Sequence, residues 1–294
     1  MSDLLWFPAG QSVTDKKLAV RWWKNRYKNQ VPPRGFLFLF HGMGEHSGRY
    51  SEMAEFFAHW GFDVLAPDFP GHGLTASDGE WGDLEGVRKW TELVDLMIDH
   101  WYVGGPRSRA ELKGVPYYIF GHSYGGLTAL NWARKIRDRS SLLPAAERIA
   151  ISGAPLKLKI AVPPLKKVAA KLAARAAPYL KIPSGIKPEM VSADPVIQYR
   201  YESDVLNHSY ASPAMFNEML EVAEEVNQSA RDLEMPVMIC AAENDPLADP
   251  EGMKNYYGNL GTQKKLLVFK NSRHEVHNDA ERREMYEELL KWLS

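Results

Sequence analysis

The amino-acid sequence predicts an α/β protein with a parallel sheet, and three observations lead to that prediction. Short apolar runs without polar alternation recur along the chain, as in residues 35–40, and such runs are typical of strands covered on both faces. Segments with helical spacing of apolar residues separate the runs, which is the pattern of right-handed β-α-β crossovers. The chain has 294 residues, of which 45% are hydrophobic and 25% charged, so it can form one large domain or a core domain with an insertion.

The predicted elements alternate through the first half of the chain and again near its end. Predicted strands cover residues 18–23, 35–40, 62–67, 117–120, 148–153, 236–241 and 265–269. Predicted helices cover residues 51–60, 86–102, 127–133, 250–257 and 279–293. Between residues 156 and 212 the alternation stops, and this segment has several prolines and an alanine-rich amphipathic pattern instead. We therefore predict a mostly parallel, doubly wound core from residues 1–154 and 213–294, with a helical cap inserted at 155–212.

Composition excludes some classes of function. The net charge is −1 and the pI is about 6.8, so the overall charge gives no reason to expect nucleic acid as a partner. The single cysteine, Cys240, excludes an internal disulfide and lies in an apolar run, where we expect it to be buried. The N-terminus lacks the pattern of a signal peptide, and no apolar run approaches the ~18–20 residues of a membrane span. We expect a cytoplasmic protein, and the sequence leaves its oligomeric state open.

The segment Gly121-His122-Ser123-Tyr124-Gly125 carries the strongest functional signal. It joins a predicted strand to a predicted helix, which is the context of a nucleophile elbow rather than a chance Gly-x-Ser-x-Gly match. The sharp turn exposes the Ser123 hydroxyl, and glycine on either side leaves room for strained backbone. The start of the helix directs backbone N–H groups at an attacked carbonyl. We predict Ser123 as a nucleophile.

A serine nucleophile needs a base and an acid that orients the base. In a doubly wound sheet these groups lie after the carboxyl ends of strands, in the order Ser, acid, His. His274 follows the strand at 265–269 most closely, so it is preferred over His277 as the base. Asp245 follows the strand at 236–241 and is preferred over Glu243; Asp249 precedes Pro250 and fits a helix N-cap better.

The loop after the strand at 35–40 is the predicted second half of an oxyanion hole. Gly42 and Gly44 let the backbone at Met43 turn its N–H inward, so Met43 and Tyr124 are the predicted donors. The alternative interpretation of the Gly- and His-rich loop is a metal or phosphate site. A phosphate-binding Gly-rich Lys-Ser/Thr pattern is absent, and His274 and His277 lack the spacing of the helical zinc motif. We predict no metal and no cofactor.

Three motifs together resemble the monoacylglycerol lipase and lysophospholipase group of serine α/β-hydrolases. They are residues 41–50 (HGMGEHSGRY), 68–73 (DFPGHG) and 121–126 (GHSYGG), and the resemblance is collinear over nearly the whole chain, including Asp245 and His274. It implies the α/β-hydrolase fold and hydrolysis of a single-chain lipid ester through an acyl-enzyme on Ser123. Met43 and Tyr124 match the oxyanion-hole positions, although the group often has Met where this chain has Tyr124. The substrate-binding candidates are His41, Gly42, His122, Leu165, Val168 and Leu172.

The cap supports a lipid substrate independently of the resemblance. Apolar residues at helical spacing form a stripe of Leu165, Val168, Ala169, Leu172, Ala176 and Tyr179. Lysine and arginine are frequent between Pro155 and Pro188, and no Asp or Glu occurs there. The stripe fits either a lid packed on the pocket or transient contact with an anionic membrane surface. The remaining alternatives are a short-chain carboxylesterase, thioesterase or C–C hydrolase on the same fold, and a non-catalytic lipid-binding protein.

Overall fold

The computed structural model describes residues 2–8, 17–26, 33–76, 81, 86–103, 114–136, 146–159 and 172–294. The strands of the main sheet are β1 (Asp3–Pro8), β2 (Lys17–Trp23), β3 (Gly35–Phe40), β4 (Phe62–Pro67), β5 (Tyr117–His122), β6 (Arg148–Ser152), β9 (Val237–Ala242) and β10 (Lys264–Phe269). Two short strands, β7 (Ile182–Pro183) and β8 (Tyr210–Ala211), pair with each other within the segment predicted as a cap, which is called the cap below. The helices are α1 (Ser51–His59), α2 (Val87–Ile98), α3 (Tyr124–Ile136), α4 (Pro188–Val191), α5 (Pro195–Ser203), α6 (Pro213–Gln228), α7 (Pro250–Asn259) and α8 (Arg282–Trp292).

The described residues form an eight-stranded sheet in the order β1-β2-β4-β3-β5-β6-β9-β10. The strands from β4 to β10 are parallel, whereas β1 pairs antiparallel with β2 and β2 pairs antiparallel with β4. The predicted α/β class with a mostly parallel sheet is therefore confirmed. The sequence analysis assigned no strand to residues 3–8, and β1 is an addition at the edge of the sheet.

The alternation of side chains along β3 explains its continuous apolar run. Phe36, Phe38 and Phe40 pack with residues of α2, α3, α6 and α7 on one face of the sheet. Leu37 and Leu39 pack with residues of α1 and α8 on the other face. Because both faces are covered, each side chain of the strand is buried, and truncation of one such leucine to alanine costs ~2–5 kcal/mol of stability.

Predicted and observed helix bounds agree to within a few residues, and the largest local difference is at the end of α2. The prediction of one helix over residues 86–102 is met by an α-helix to Ile98 followed by a π-helical turn at Asp99–Val103. Asp249 caps α7, as its position before Pro250 predicted, and its side chain accepts from the Glu251 N–H. Cys240 is buried in β9, also as expected.

Between β6 and α6 the described chain forms only short elements, and part of it lies against the loop that follows β10. The Val191 carbonyl accepts the N–H of Glu275 at 2.8 Å, and the Ala193 N–H donates to Asp279 at 2.9 Å. The division into a core and a cap at residues 155–212 stays a prediction. Within the part of the chain that the structure describes, no helix is both long and apolar enough to span a bilayer.

Candidate active site

Ser123 stands at the turn between β5 and α3, and its backbone is strained. Its φ of 51° is the only positive φ of a residue other than glycine among the described residues. Its N–H donates to the Ser152 carbonyl at 2.8 Å, which fixes the turn to the neighbouring strand. A Cβ on Gly125 would lie 2.4 Å from the Phe40 carbonyl oxygen, and one on Gly121 would lie 2.4 Å from the Gly125 carbonyl oxygen. The flanking glycines are therefore needed for close contact of helix and strand, as the motif predicted.

Asp245 and His274 come together at the carboxyl ends of β9 and β10. The Nδ1 of His274 donates to Asp245 Oδ2 at 2.8 Å, and the Asp245 side chain is fully buried. The second oxygen of Asp245 accepts the N–H groups of Leu247 and Ala248 at 2.8 and 3.0 Å, so the carboxylate is held on both sides. Ser123 and His274 line the same small pocket. The arrangement leaves Nε2 of His274 to act on a proton there.

Burial and charge set the protonation of the histidines around Ser123. Burial by itself lowers the pKa of His274, but the charge and hydrogen bond of Asp245 outweigh it, and the pKa is raised. The centroid of the His122 ring lies 4.7 Å from that of His274 and 4.6 Å from that of His277. Burial lowers the pKa of His277 to about 3 and that of His122 well below its usual range. Of these three histidines, only His274 has a raised pKa, so it is the one suited to accept a proton.

The loop of Gly42, Met43 and Gly44 lies beside Ser123, as an oxyanion loop requires. The Gly42 N–H donates to Glu45 Oε1 at 2.7 Å, and a Cβ added to Gly42 would lie 3.1 Å from the Cβ of Ser123. Gly44 has a φ of 77°, and its carbonyl accepts the N–H of His208 from the cap at 2.9 Å. The loop is therefore held from both ends, with Met43 between them and lining the pocket.

The side chain of Tyr124 points into the core rather than to the pocket. It is buried, and its ring centroid lies 5.0 Å from that of Trp90. Trp90 in turn stacks on Phe69 with centroids 4.1 Å apart. Tyr124, which stands where the resembled group often has methionine, is absent from the described pocket lining. Its backbone N–H lies at the start of α3, and its role as an oxyanion donor stays a prediction.

A buried guanidinium joins the oxyanion loop to the loop that carries His274. Arg49 donates to Glu45 Oε2 at 2.7 Å and binds both oxygens of Glu275, at 2.6 and 2.7 Å. Glu45 also accepts the Tyr50 hydroxyl at 2.8 Å. Burial alone raises the pKa of Glu275, but Arg49 outweighs it and lowers that pKa to about 2. Burial raises the pKa of Glu45, and the negative charge of Glu275 raises it further, so that together they outweigh the charge of Arg49.

Glu45 and Glu275, together with His122, are the best candidates for metal ligands among the described residues. Ligand atoms of Glu45, His122 and Glu275 lie within 4.8 Å of one another. Arg49 binds both carboxylates, so the positive charge that the acids require is already supplied by the protein. The absence of a metal from the reaction stays a prediction.

The pocket above Ser123 is small in this state. Its volume is about 20 Å³, and the cap contributes Ile186, Val191 and Tyr201 to its walls. The remaining described lining is Gly42, Met43, Glu45, His122, Ser123, Leu247, His274 and Glu275. A space of this size holds little more than one water molecule.

The predicted substrate-binding residues have different locations. Gly42 and His122 line the pocket. His41 lies beneath the loop, where its Nε2 accepts the Phe69 N–H at 3.0 Å, and it is absent from the described lining. Leu172 is 60% exposed, and Leu165 and Val168 lie outside the described residues. A substrate-binding role for these residues stays a prediction.

Sequence reasoning did not single out Glu45, Arg49, Glu275 or Tyr201, although all four are in or against the pocket. The guanidinium of Arg49 lies 4.7 Å from the ring centroid of Tyr201, so it also contacts the cap. The spacing of Glu45 and Arg49 by four residues, next to the Gly-rich loop, was the available local signal. The partners Tyr201 and Glu275 are distant in sequence and had no such signal.

Comparison with known proteins identifies a matching family and several relatives. The Hydrolase_4 family model, described as serine aminopeptidase, S33, matches residues 31–281. The chain is 30% identical over 284 residues to an uncharacterized abhydrolase domain-containing protein of Dictyostelium discoideum. This match covers 96% of this chain but only 28% of that protein. It is 27% identical to the monoglyceride lipase homolog of monkeypox virus, covering 89% of this chain and 90% of that protein. The crystal structure of Paleococcus ferrophilus monoacylglycerol lipase matches with a TM-score of 0.80 and 28% identity, covering 94% of this chain and 98% of that chain.

Proposed function

This chain belongs to the Hydrolase_4 family (serine aminopeptidase, S33) of α/β-hydrolases, and we propose that it hydrolyses the carboxylic ester of single-chain lipids, releasing a fatty acid. The observation that carries the proposal is the convergence of Ser123, His274 and the Met43 loop on one pocket, with Asp245 behind His274. The names of the monkeypox virus and Paleococcus ferrophilus relatives support monoacylglycerol as the substrate class. In the alternative substrate, a lysophospholipid, the bond to be cleaved is also the carboxylic ester between the fatty acyl group and glycerol.

The proposed reaction has two steps. Ser123 Oγ attacks the acyl carbonyl while Nε2 of His274 takes the hydroxyl proton, and Asp245 stabilises the resulting imidazolium through Nδ1. The N–H groups of Met43 and Tyr124 bind the oxyanion of the tetrahedral intermediate. Its collapse returns the proton to the leaving alcohol and leaves an acyl-enzyme. A water molecule, activated by His274, then releases the fatty acid and restores Ser123.

The substrate class is tested by comparing three esters with the wild-type protein. Fatty-acid release should be measured on long-chain monoacylglycerol, long-chain lysophosphatidylcholine and a short-chain ester. Turnover of a long-chain substrate supports lipid hydrolysis and shows which head group is accepted. Turnover of the short ester alone would instead support a small-molecule carboxylesterase on the same fold. Absence of turnover together with absence of labelling by a fluorophosphonate would support a non-catalytic lipid-binding protein.

The surface of the cap supports transient contact with an anionic membrane. Most of the exposed large apolar side chains of the described residues are in it, namely Leu172, Tyr179, Leu180, Ile182, Val196, Tyr199, Val205 and Tyr210. Arg175, Lys181 and Lys187 are exposed in the same segment. Apolar side chains among basic ones favour insertion into a negatively charged interface.

Vesicle sedimentation tests the membrane contact. The bound fraction should increase when phosphatidylserine is added to phosphatidylcholine vesicles and decrease with salt. Replacing Tyr179 and Leu180 by serine should weaken binding, whereas Leu4→Ser, at an exposed leucine of β1, serves as the matched control. Equal sedimentation with and without anionic lipid would contradict the proposal.

A further inference from the structure

A second cavity adjoins the catalytic pocket and is much larger. We call it the outer cavity; its walls include Trp81, Tyr201, Glu202, Asp204, His208 and Tyr210. Its volume is about 610 Å³, against about 20 Å³ for the pocket above Ser123. Volumes of ~300–1,000 Å³ are typical of small-molecule sites. The two spaces share Ile186 and Tyr201 as walls, so a ligand in the outer cavity is separated from Ser123 by these two cap side chains.

The walls of the outer cavity are acidic at neutral pH. Glu202 and Asp204 line it, and its described lining includes no lysine or arginine. Asp204 Oδ2 lies 2.9 Å from Nε2 of His46, whereas Glu202 has no ion-pair partner among the described residues. Burial lowers the pKa of His208 to about 4, so its ring adds no positive charge above that pH. The described lining therefore carries two carboxylates, of which Glu202 is exposed, and no cation, although Lys181 lies close enough to act on the charge of His208.

One wall of the outer cavity is aromatic. The His208 ring lies 5.7 Å from Trp81 and is nearly parallel to Tyr210, with centroids 6.4 Å apart. Tyr201 adds a fourth ring, although Arg49 covers one of its faces. Aromatic faces combined with a carboxylate are the surroundings that bind organic ammonium ions, through cation–π attraction and charge.

We propose that the outer cavity binds the ammonium group on the alcohol part of a lipid ester while Ser123 cleaves the ester in the adjoining pocket. The inference rests on the proposed function and adds a preference among its substrates, for esters whose head group carries a quaternary or primary ammonium over uncharged esters such as monoacylglycerol. Ile186 and Tyr201 separate the head-group site from the reacting carbonyl. The hydrogen bond between His208 N–H and the Gly44 carbonyl, at 2.9 Å, links the wall of the outer cavity directly to the oxyanion loop.

A pair of substrates that differ only in charge tests the proposal. One is a lysophosphatidylcholine, and the other is the same lipid with 3,3-dimethylbutanol in place of choline, so that a carbon replaces the nitrogen. We expect the ratio of kcat/KM for the choline lipid over its isostere to be about tenfold for the wild type, the size of a partly exposed cation–π contact combined with one charge pair. Glu202→Gln and Tyr210→Leu should each lower this ratio about threefold or more. Glu224→Gln, at an exposed glutamate of α6 outside the cavity, should keep the wild-type ratio.

The possible results separate this inference from the proposed function. A wild-type ratio near one, or a ratio that Glu202→Gln and Tyr210→Leu leave unchanged, would overturn the ammonium site while ester hydrolysis stands. Hydrolysis of monoacylglycerol without hydrolysis of either phospholipid would also overturn the ammonium site alone. If no long-chain ester is cleaved, both proposals fail. Both values of kcat/KM in the ratio are measured on the same variant. Loss of folded protein lowers the two values equally and therefore leaves the ratio unchanged.

Discussion

The Cα of Gly153 lies so close to the imidazole of His274 that a Cβ on it would be 2.9 Å from Cε1. Gly153 follows β6 and has a φ of 57°, which side chains other than hydrogen rarely allow. The same Cβ would lie 3.1 Å from Cε1 of His122. The position of His274 thus depends on a glycine that is far from it in sequence.

We expect Gly153→Ala to reduce kcat by ~10–100-fold, because the added methyl displaces His274 from Ser123. The left-handed backbone should also cost ~1–2 kcal/mol of stability. Gly114→Ala is the matched control, since Gly114 has a φ of 88° and nothing lies within 4 Å of its added Cβ. Ester turnover and urea unfolding of both variants check the expectation. Equal effects of the two substitutions on kcat would contradict the proposed role of the Gly153 contact.

The pH profile should report the raised pKa of His274. Nε2 accepts the proton of Ser123 only when the imidazole is neutral, so kcat/KM should fall as the pH drops through that pKa. Asp245→Asn removes the charge that raises it; the acidic limb should then move to lower pH and the plateau should fall by ~10³–10⁴-fold. A limb that stays in place in this variant would exclude Asp245 as the partner of the base.

Arg49 should matter for stability as well as activity. Arg49→Ala leaves Glu45 and Glu275 buried without their cation, and loss of one partner from such a cluster costs ~3–5 kcal/mol. Arg49→Lys keeps the charge but cannot make the same two-pronged bond to Glu275, so we expect an intermediate loss. Urea unfolding measures both. Arg283→Ala, at an exposed arginine of α8, is the control and should change stability by less than ~1 kcal/mol. If Arg49→Ala were equally mild, the cluster would not hold the two loops together.

Acid should destabilise the fold through its buried histidines. Burial lowers the pKa of His41 to about 4 and of His277 to about 3, from 6.5 for an unperturbed histidine. Between pH 6.5 and about 4 the unfolded chain binds protons that the folded chain does not, so stability falls as the pH falls, by ~1.4 kcal/mol per unit for each such histidine. His274 acts in the opposite sense: its pKa is raised, so its stabilisation is complete below pH 6.5 and is lost as the pH rises through the raised value.

Urea unfolding at pH 7, 6 and 5 measures this dependence. We expect His277→Gln to reduce the change of unfolding free energy with pH by about the contribution of one histidine. His59→Gln, at an exposed position of α1, is the matched control. A slope that His277→Gln leaves at the wild-type value would show that His277 does not remain neutral in the folded protein.

The parts of the fold that local patterns define were predictable from the sequence. The apolar run of residues 35–40 was enough to predict β3, and the position of Asp249 before Pro250 was enough to predict a helix N-cap, because both signals lie within a few residues. β1 was missed because it is an edge strand: its apolar run is only four residues long, Leu4 and Trp6 are exposed, and only Phe7 is buried. A strand that pairs only with β2 at the edge of the sheet buries few side chains, so its own residues carry only a weak strand pattern.

For the candidate site, chain order placed Asp245 and His274 after the correct strands, because the carboxyl ends of parallel strands meet at one edge. The contacts of Arg49 could not be predicted in the same way. Glu275 is 226 positions away from it, and their meeting depends on the packing of two loops. Tyr201 in α5 belongs to a cap whose short helices have little amphipathic pattern, so its place at the pocket follows from tertiary structure alone.

The most direct measurement is fatty-acid release from a long-chain monoacylglycerol by the wild-type protein and by Ser123→Ala, both shown by urea unfolding to be folded. We expect turnover by the wild type and a loss of several orders of magnitude in kcat for the variant, because His274 and the oxyanion loop have no nucleophile to act on without the hydroxyl. Turnover that survives in Ser123→Ala would contradict the acyl-enzyme on Ser123, and with it the proposed function.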